Sequence, residues 1–146
     1  MVLKLTQDLC QTDIEISIIY PEKNKLMERI VSFLNSVDSE IECYYGNSIR
    51  LINASDIYYI ECFDDKTTIF CEKENYQTKE RLYHVYEKLK NKGFVQISKY
   101  CLVNINKIEK YNSLFNSRME AELINGIRLF ITRKYLNDIK RMMKDE

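Results

Sequence analysis

Three short runs along the chain combine cationic and hydroxyl side chains at the ends of patterns that predict strands. They are Asp64-Asp65-Lys66-Thr67, Ser98-Lys99-Tyr100 and Thr132-Arg133-Lys134. Arginine and lysine can hydrogen-bond to guanine edges or to phosphates, and hydroxyl groups can contact either. A strand end holds a side chain on a rigid scaffold, as base-reading groups require. These residue types therefore favour contact with nucleic acid, although a helix is the commoner reader of DNA.

No other residues form a recognisable catalytic or metal-binding set. The only histidine, His84, lies beside the apolar face of a predicted helix, and the sequence places no nucleophile or orienting group near it. We expect His84 to face solvent or to be packed without a catalytic role. The adjacent carboxylates of Asp64 and Asp65 are more typical of turn chemistry than of a metal site. Since no glycine-rich phosphate loop is present either, we expect no enzyme activity, no cofactor and no metal.

The cysteines and the hydropathy pattern predict where the protein works. Its five cysteines are widely spaced, odd in number and without a CxxC pair, which favours a reduced cytoplasmic interior. A cysteine-based redox sensor is a weaker alternative that requires an exposed thiol of low pKa. The apolar runs are too short to span a membrane, and the N-terminus lacks the apolar segment of a signal peptide. The 146 residues are enough for one domain with a sizeable core.

The formal net charge is zero, but the charges are unevenly distributed along the chain. Residues 1–78 contain 7 Lys and Arg against 14 Asp and Glu, whereas residues 79–146 contain 15 against 8. A basic half can serve as the electrostatic footprint of a nucleic-acid-binding surface. The alternative is that the two halves fold together and neutralise each other's surface.

The N-terminal part is predicted to form a strand and an amphipathic helix. Residues 13–20 alternate apolar and polar side chains and are rich in isoleucine, which predicts a strand. Pro21 is typical of a first helical turn, and apolar residues recur at helical spacing from Leu26 to Val37. We therefore expect a helix over residues 21–37. Packing of its apolar stripe within the chain is favoured, and dimerisation through it is the alternative.

From residue 40 onward the hydrophobic period is mostly two. The predicted strands cover residues 40–45, 48–52, 56–61, 67–71, 94–98, 101–108, 107–111, 119–123 and 127–131. Asn125-Gly126 is a strong hairpin signal, and the apolar spacing of residues 79–90 predicts a short helix. Thr132 is predicted to cap a terminal helix. The fold class is therefore α+β and mainly β.

Several ordered motifs across residues 42–142 resemble the LytTR family of DNA-binding domains. They are the runs 56–61, 76–82 and 94–108, the pair Asn125-Gly126, and the run 132–136. The resemblance implies an elongated assembly of antiparallel sheets with short helices. It also implies a bacterial transcription regulator that binds paired short promoter repeats by inserting loops into successive major grooves.

Carried over position by position, the resemblance implies DNA contacts from a small set of polar residues. They are Lys66, Thr67, Ser98, Lys99, Tyr100, Arg133 and Lys134. The family commonly has a histidine and an arginine where this chain has Ser98 and Lys99. Because lysine is a point charge rather than a bidentate fork, base specificity is expected to be weaker or different there. Thr132 stands where a serine is common, which is a mild change.

The N-terminal part departs further from the family. Typical members carry a phosphoacceptor receiver domain, and residues 1–40 are too few for one. We therefore expect a strand–helix extension over residues 1–40, as a possible dimer or partner surface, and a LytTR-type domain over residues 41–146. Short, receiver-less members are often encoded beside a small integral membrane protein that restrains them, so the resemblance implies such a partner.

The predicted function is sequence-specific binding of double-stranded DNA by a cytoplasmic, response-regulator-like transcription regulator. One domain offers few contacts, so a homodimer on paired repeats is expected, with no small-molecule substrate. The alternative is a protein-interaction module, a β domain whose basic face meets an acidic partner without DNA.

Overall fold

A computed structural model describes residues 1–144, and the side chains of residues 1–141. Three α-helices, ten strands and three short 3-10 helices are present in this part of the chain. In order, the α-helices and strands are α1 (Lys25–Val37), β1 (Glu40–Tyr45), β2 (Ser48–Asn53), β3 (Ile57–Phe63), β4 (Lys66–Cys71), β5 (Asn75–Thr78), α2 (Leu82–Leu89), β6 (Phe94–Ser98), β7 (Cys101–Asn104), β8 (Ile108–Ser113), β9 (Met119–Leu123), β10 (Arg128–Ile131) and α3 (Arg133–Lys144).

The strands form two antiparallel sheets. Seven strands lie in the order β2-β1-β5-β4-β3-β7-β6, and three lie in the order β10-β9-β8. Most neighbours are hairpins, as the period-two pattern and the short turns predict. The predicted α+β, mainly β class is confirmed.

Two hydrophobic cores lie on opposite faces of the middle of the large sheet. The first joins strands of the large sheet to the apolar face of α2, where Val85 and Leu89 are buried. The second joins β3, β6 and β7 to the small sheet and to Leu136 and Ile139 of α3. The structure is therefore layered, with the central strands between α2 on one side and the small sheet with α3 on the other.

Strand β7 shows why part of the sequence does not alternate. All four of its residues are buried; Leu102 packs in the first core, and Cys101 and Val103 pack in the second. A strand covered on both faces needs apolar residues at successive positions. The uninterrupted run of residues 101–103 is therefore a consequence of the two layers. Asn104 is also buried, and its side-chain amide donates to the Ile57 carbonyl at 2.9 Å.

The predicted strand over residues 13–20 is wrong. These residues pair with no strand among residues 1–144, and nearly all of residues 1–20 are exposed. An alternating pattern predicts a strand only where a neighbouring strand takes up its backbone hydrogen bonds. The extension of residues 1–40 is therefore a helix preceded by an irregular segment.

The predicted helix over residues 21–37 is confirmed, but it begins at Lys25. Asn24 is its N-cap, and the Asn24 side chain accepts a 2.9 Å hydrogen bond from the Met27 amide. Only Ser36 is buried in α1, whereas Leu26, Phe33 and Val37 are exposed. Ile30 and Leu34 are half-buried, so the expected packing of the apolar stripe within the chain is only partial in the part that the structure describes.

Two further elements differ from the prediction. Strand β5 was not predicted, because Tyr76 is its only apolar residue and its conformation depends on pairing with β4 and β1. The helix predicted over residues 79–90 is shorter, at Leu82–Leu89. The Asn125-Gly126 hairpin is confirmed as the connection of β9 to β10, in a loop where Gly126 has a φ of +89°.

Candidate nucleic-acid interface

The turn between β3 and β4 is a tight hairpin with two aspartates at its tip. Phe63 and Lys66 are the closing pair, and Asp64 and Asp65 have φ values of 52° and 60°. Two successive left-handed residues are typical of a type I′ turn, and aspartate is among the few residues other than glycine that tolerate this conformation. The turn projects the exposed Lys66 side chain at one end of the large sheet.

The next residue, Thr67, does not present its side chain at this surface. It is 3% exposed, and it pairs with Cys62 on one side and Thr78 on the other. Because successive side chains of a strand point to opposite faces, an outward Lys66 requires an inward Thr67. The burial of its side chain disfavours a Thr67 contact with DNA, which stays an untested prediction.

The turn between β6 and β7 places two of the predicted residues in solvent. Lys99 and Tyr100 are exposed at its tip, between the closing pair Ser98 and Cys101. The Ser98 hydroxyl accepts a 3.3 Å hydrogen bond from the Tyr100 amide, so it shapes the turn. The Lys99 ammonium lies 5.4 Å from the centroid of the Tyr100 ring. This turn therefore offers a cation next to an aromatic ring.

Backbone hydrogen bonds join the predicted segments at one end of the sheet. The Cys62 amide of β3 donates to the Tyr100 carbonyl at 2.8 Å, which places the β6–β7 turn beside the β3–β4 turn. The Thr132 amide donates to the Ile97 carbonyl at 2.9 Å, and the Thr132 hydroxyl donates to the same oxygen at 3.3 Å. The start of α3 is thereby held against the end of β6.

Arg133 and Lys134 are the first two residues of α3, and both are exposed. A cation in the first turn of a helix is unfavourable for the helix itself, because the backbone dipole is positive there. Their position therefore does not stabilise α3. It instead adds two positive charges to a helix end whose backbone amides already attract anions.

The electrostatics of this surface favour an anionic partner. Four exposed cations stand on three connected segments, and among residues 1–144 none of them forms an ion pair with a carboxylate. They are Lys66, Lys99, Arg133 and Lys134. The carboxylates of Asp64 and Asp65 lie in the same turn as Lys66, so the positive surface has an acidic margin.

Two exposed aromatic side chains that the sequence did not indicate, Phe63 and Phe130, lie at the same end of the sheet as the predicted Tyr100. Phe63, Phe130 and Tyr100 are 78%, 64% and 54% exposed, and all three line a shallow cleft between β3, β7 and β10. Aromatic and apolar side chains can contact thymine methyl groups or bases. In β10 the alternation places Phe130 on the same side as Arg128, and an aromatic residue on a polar face is the signal that could have found it.

The histidine and three of the cysteines were considered above for catalysis and for redox sensing. His84 is exposed, and its ring lies tilted against that of Tyr83 with centroids 4.6 Å apart, so of the two predicted positions, solvent-facing and packed, the structure shows the first. Burial raises the pKa of the Cys43 thiol to about 11, and of the Cys71 and Cys101 thiols to about 12. These three thiols are therefore protonated near neutral pH, which disfavours them as redox sensors.

Neither a metal centre nor a membrane span is found in the described residues. No three or more His, Cys, Asp or Glu side chains among residues 1–144 are grouped so that they could hold a metal ion. Within the same range, each helix is too short or too polar to cross a bilayer.

Known proteins resemble different parts of this chain. The family model of the LytTr DNA-binding domain matches residues 47–144. The sensory transduction protein LytT of Bacillus anthracis is 29% identical over 97 residues, which are 66% of this chain and 39% of that protein. LytR of Staphylococcus saprophyticus is 28% identical over 95 residues, or 37% of its length. The chain therefore spans about two fifths of the length of these two relatives.

A protein of similar length also matches. An uncharacterized HTH-type transcriptional regulator of Staphylococcus aureus is 28% identical over 145 residues, which are 98% of each chain. In the described part of the present chain, strands separate each helix from the next, so no helix-turn-helix unit is formed there.

A solved structure supports the fold. It is the LytTr DNA-binding domain of a putative methyl-accepting/DNA response regulator from Bacillus cereus, with a TM-score of 0.68 and 20% sequence identity. The match covers 73% of this chain and 97% of that one. Since the family model covers most of the sequence and the strand architecture agrees, the chain belongs to the LytTR family of DNA-binding domains.

Proposed function

We propose that this protein is a bacterial transcription regulator that binds double-stranded DNA in a sequence-specific manner. The main support for the proposal is that three segments lie side by side at one end of the sheet. Backbone hydrogen bonds of 2.8 and 2.9 Å connect the β3–β4 hairpin, the β6–β7 hairpin and the start of α3. These segments are far apart in sequence, and together they present four exposed cations without carboxylate partners among residues 1–144. DNA requires such a surface, because its phosphates dominate affinity.

The proposed contacts are of two kinds, those with base edges and those with the phosphate backbone. Arg133, Lys134 and Lys99 enter successive major grooves and select the site, since guanidinium and ammonium groups can bond to guanine edges. Lys66 contacts the phosphate backbone, and the Tyr100 ring packs beside Lys99. Ser98 acts by shaping its turn, because its hydroxyl is engaged by the Tyr100 amide.

Two copies on paired promoter repeats complete the proposal. One chain offers few base contacts, and a second copy on an adjacent repeat multiplies the affinity through a high effective concentration. The exposed apolar side chains of α1, among them Leu26 and Phe33, support its role as a partner surface. A small integral membrane protein that restrains the regulator in the cytoplasm is a second proposed partner of α1, and no small-molecule substrate is proposed.

The proposal is tested by titrating the protein against a labelled duplex from its own upstream region and against a shuffled duplex of the same composition. We expect the upstream duplex to bind orders of magnitude more tightly at about 200 mM salt, where non-specific binding is weak. Arg133→Ala should weaken binding to the upstream duplex more than binding to the shuffled duplex, so that the ratio of the two affinities falls.

Two other outcomes would contradict parts of the proposal. Equal, weak binding to both duplexes would mean that the target lies elsewhere, and selection from random duplexes would then identify it. No binding to either duplex, even at about 50 mM salt, would favour a protein-interaction module whose basic face meets an acidic partner.

A further inference from the structure

The segment of residues 13–20 has the composition of a strand and no strand to pair with. Ile14, Ile16 and Ile18 alternate with polar residues, yet the segment is irregular, and Ile14 and Ile16 are 86% and 59% exposed. Among the described residues, none of its backbone amides donates to a backbone carbonyl outside the segment. The Ile14 amide donates to the Asp13 side chain at 2.7 Å, a local bond that pairing with a strand could replace. A β-rich segment without strand pairing and with apolar side chains in solvent is suited to adding to a sheet edge.

The large sheet offers an edge of matching character. Strand β2 is its outermost strand on one side, so the backbone groups that point away from β1 are unpaired by any strand of residues 1–144. Ile49 and Leu51 are 62% and 64% exposed on one face of β2, and Arg50 lies on the other face. Natural proteins usually protect an apolar edge of this kind.

We propose that residues 13–20 of one copy add as an antiparallel strand to β2 of a second copy, with Glu15 opposite Arg50. This register places Ile14 opposite Leu51 and Ile16 opposite Ile49. Since directly opposite residues share a face, both apolar pairs fall on the face where Ile49 and Leu51 are exposed.

Charge complementarity selects this register. Glu15 accepts only a 3.4 Å hydrogen bond from the Gln11 side chain, and Arg50 contacts the Tyr45 ring at 5.9 Å without an ion pair among residues 1–144. A shift by one residue would place Glu15 beside Ile49 or Leu51 and would turn the isoleucines to the opposite face.

A second copy fits this edge and continues the exposed surface of α1. The Asn53 side-chain amide, at the end of β2, donates to the carbonyl of Val37 in the last turn of α1. The edge therefore adjoins a helix whose Phe33 and Val37 are 47% and 44% exposed. Reciprocal exchange of the two segments gives a closed, two-fold dimer in which both edges are covered.

The inference does not rest on DNA binding, because the proposed dimer forms from protein surfaces alone. It is tested by sedimentation velocity on the full chain without DNA. We expect the parent protein to dimerise. Glu15→Arg and Arg50→Glu should each raise the dissociation constant of the dimer by about tenfold or more, since each converts two opposite-charge pairs into like-charge pairs.

Mixing the two charge variants distinguishes exchange between copies from pairing within one chain. In a mixed dimer both cross-strand pairs are again of opposite charge, so the mixture should dimerise about as well as the parent. Within either single chain the two charges remain alike. If the segment instead pairs with β2 of its own chain, mixing the variants should not restore dimerisation. A mixture that dimerises no better than either variant alone would overturn the proposal.

Matched substitutions locate the contact. Ile16→Asp should weaken the dimer, whereas Ile19→Asp should not, because Ile19 is 98% exposed and falls beyond the β2 strand in this register. Circular dichroism and thermal unfolding check that all variants remain folded. A parent protein that is monomeric at every concentration, or variants that leave the dissociation constant unchanged, would overturn the proposal.

Discussion

The substitution Lys99→Ala tests whether the β6–β7 turn neutralises a DNA phosphate. Lys99 is exposed and forms no ion pair within residues 1–144, so its removal leaves no carboxylate unpaired there. On a shuffled duplex, where the proposed base contacts are lost, all four cations can lie against the phosphate backbone. If Lys66, Lys99, Arg133 and Lys134 each neutralise one phosphate there, the log–log slope of affinity against salt is about −3.6 per chain, at about −0.9 for each contact. The affinity then falls roughly 150-fold between about 50 and 200 mM salt.

The variant retains three of these contacts. Its expected slope is about −2.7, and its affinity should fall only about 40-fold over the same salt range. Fluorescence anisotropy of a labelled duplex at four or more salt concentrations measures the slope directly. An equal loss of affinity on specific and shuffled duplexes would mark Lys99 as a phosphate contact, whereas a larger loss on the specific duplex would mark it as a base reader.

Lys73 provides a matched control for this experiment. It is an exposed lysine that follows the opposite end of β4 from Lys66. Lys73→Ala removes the same charge from the protein and should leave the slope unchanged. An unchanged slope for Lys99→Ala, or an equal reduction for Lys73→Ala, would refute the assignment of the interface to this end of the sheet.

Three further predictions concern stability and the exposed aromatics. Gly93→Ala should destabilise the fold by about 1–3 kcal/mol in urea unfolding, because Gly93 has a φ of +87° and a new Cβ would lie 3.1 Å from Asn106 Nδ2; an unchanged midpoint would contradict this. Hydrogen bonds from Lys110 and then Arg128 lower the pKa of Glu122, so this carboxylate stabilises the fold above the ordinary carboxyl pKa of about 4.3 and less as the pH falls through its lowered value. Glu122→Gln should therefore show a smaller loss of stability than the parent between about pH 5 and pH 2.5, and parallel curves would argue against it. Phe63→Ala should weaken DNA binding while leaving the melting temperature within error, since Phe63 is 78% exposed; unchanged affinity would place Phe63 outside the interface.

Much of the fold follows from local pattern, and the exceptions depend on neighbours. Alternation predicted β1 and β9, because alternate residues of each strand pack in a core. It also predicted β2, where Ile52 packs against the first core and four of the six residues are exposed. The same pattern over residues 13–20 failed, since no strand within residues 1–144 pairs with it. Strand β5 was missed for the opposite reason, because strands on both sides impose an extended conformation on a sequence with little β pattern.

The sequence predicted which turns form the candidate site. It did not predict which side chains of those turns point to solvent. Lys66, Lys99, Arg133 and Lys134 are exposed as the sequence indicated, whereas Thr67 is buried. The phase of a hairpin decides which residue points outward, and that phase follows from the Phe63–Lys66 closing pair. Phe63 and Phe130 were missed because an exposed aromatic side chain is informative only once its surroundings are known.

The burial of β7 on both faces has a consequence for the order in which the chain folds during synthesis. Residues up to Leu102 can complete the first core, but Val103 and Tyr58 have no cover until residues 119–139 have been made. Until then a nascent chain exposes an apolar sheet face, which is a state prone to aggregation. The start of α3, which carries Arg133 and Lys134, is held on the Ile97 carbonyl by Thr132 and can dock there only after these residues have been made. The proposed DNA-contacting surface is therefore complete only after Arg133 and Lys134 have been made, so that shorter nascent chains would not present it.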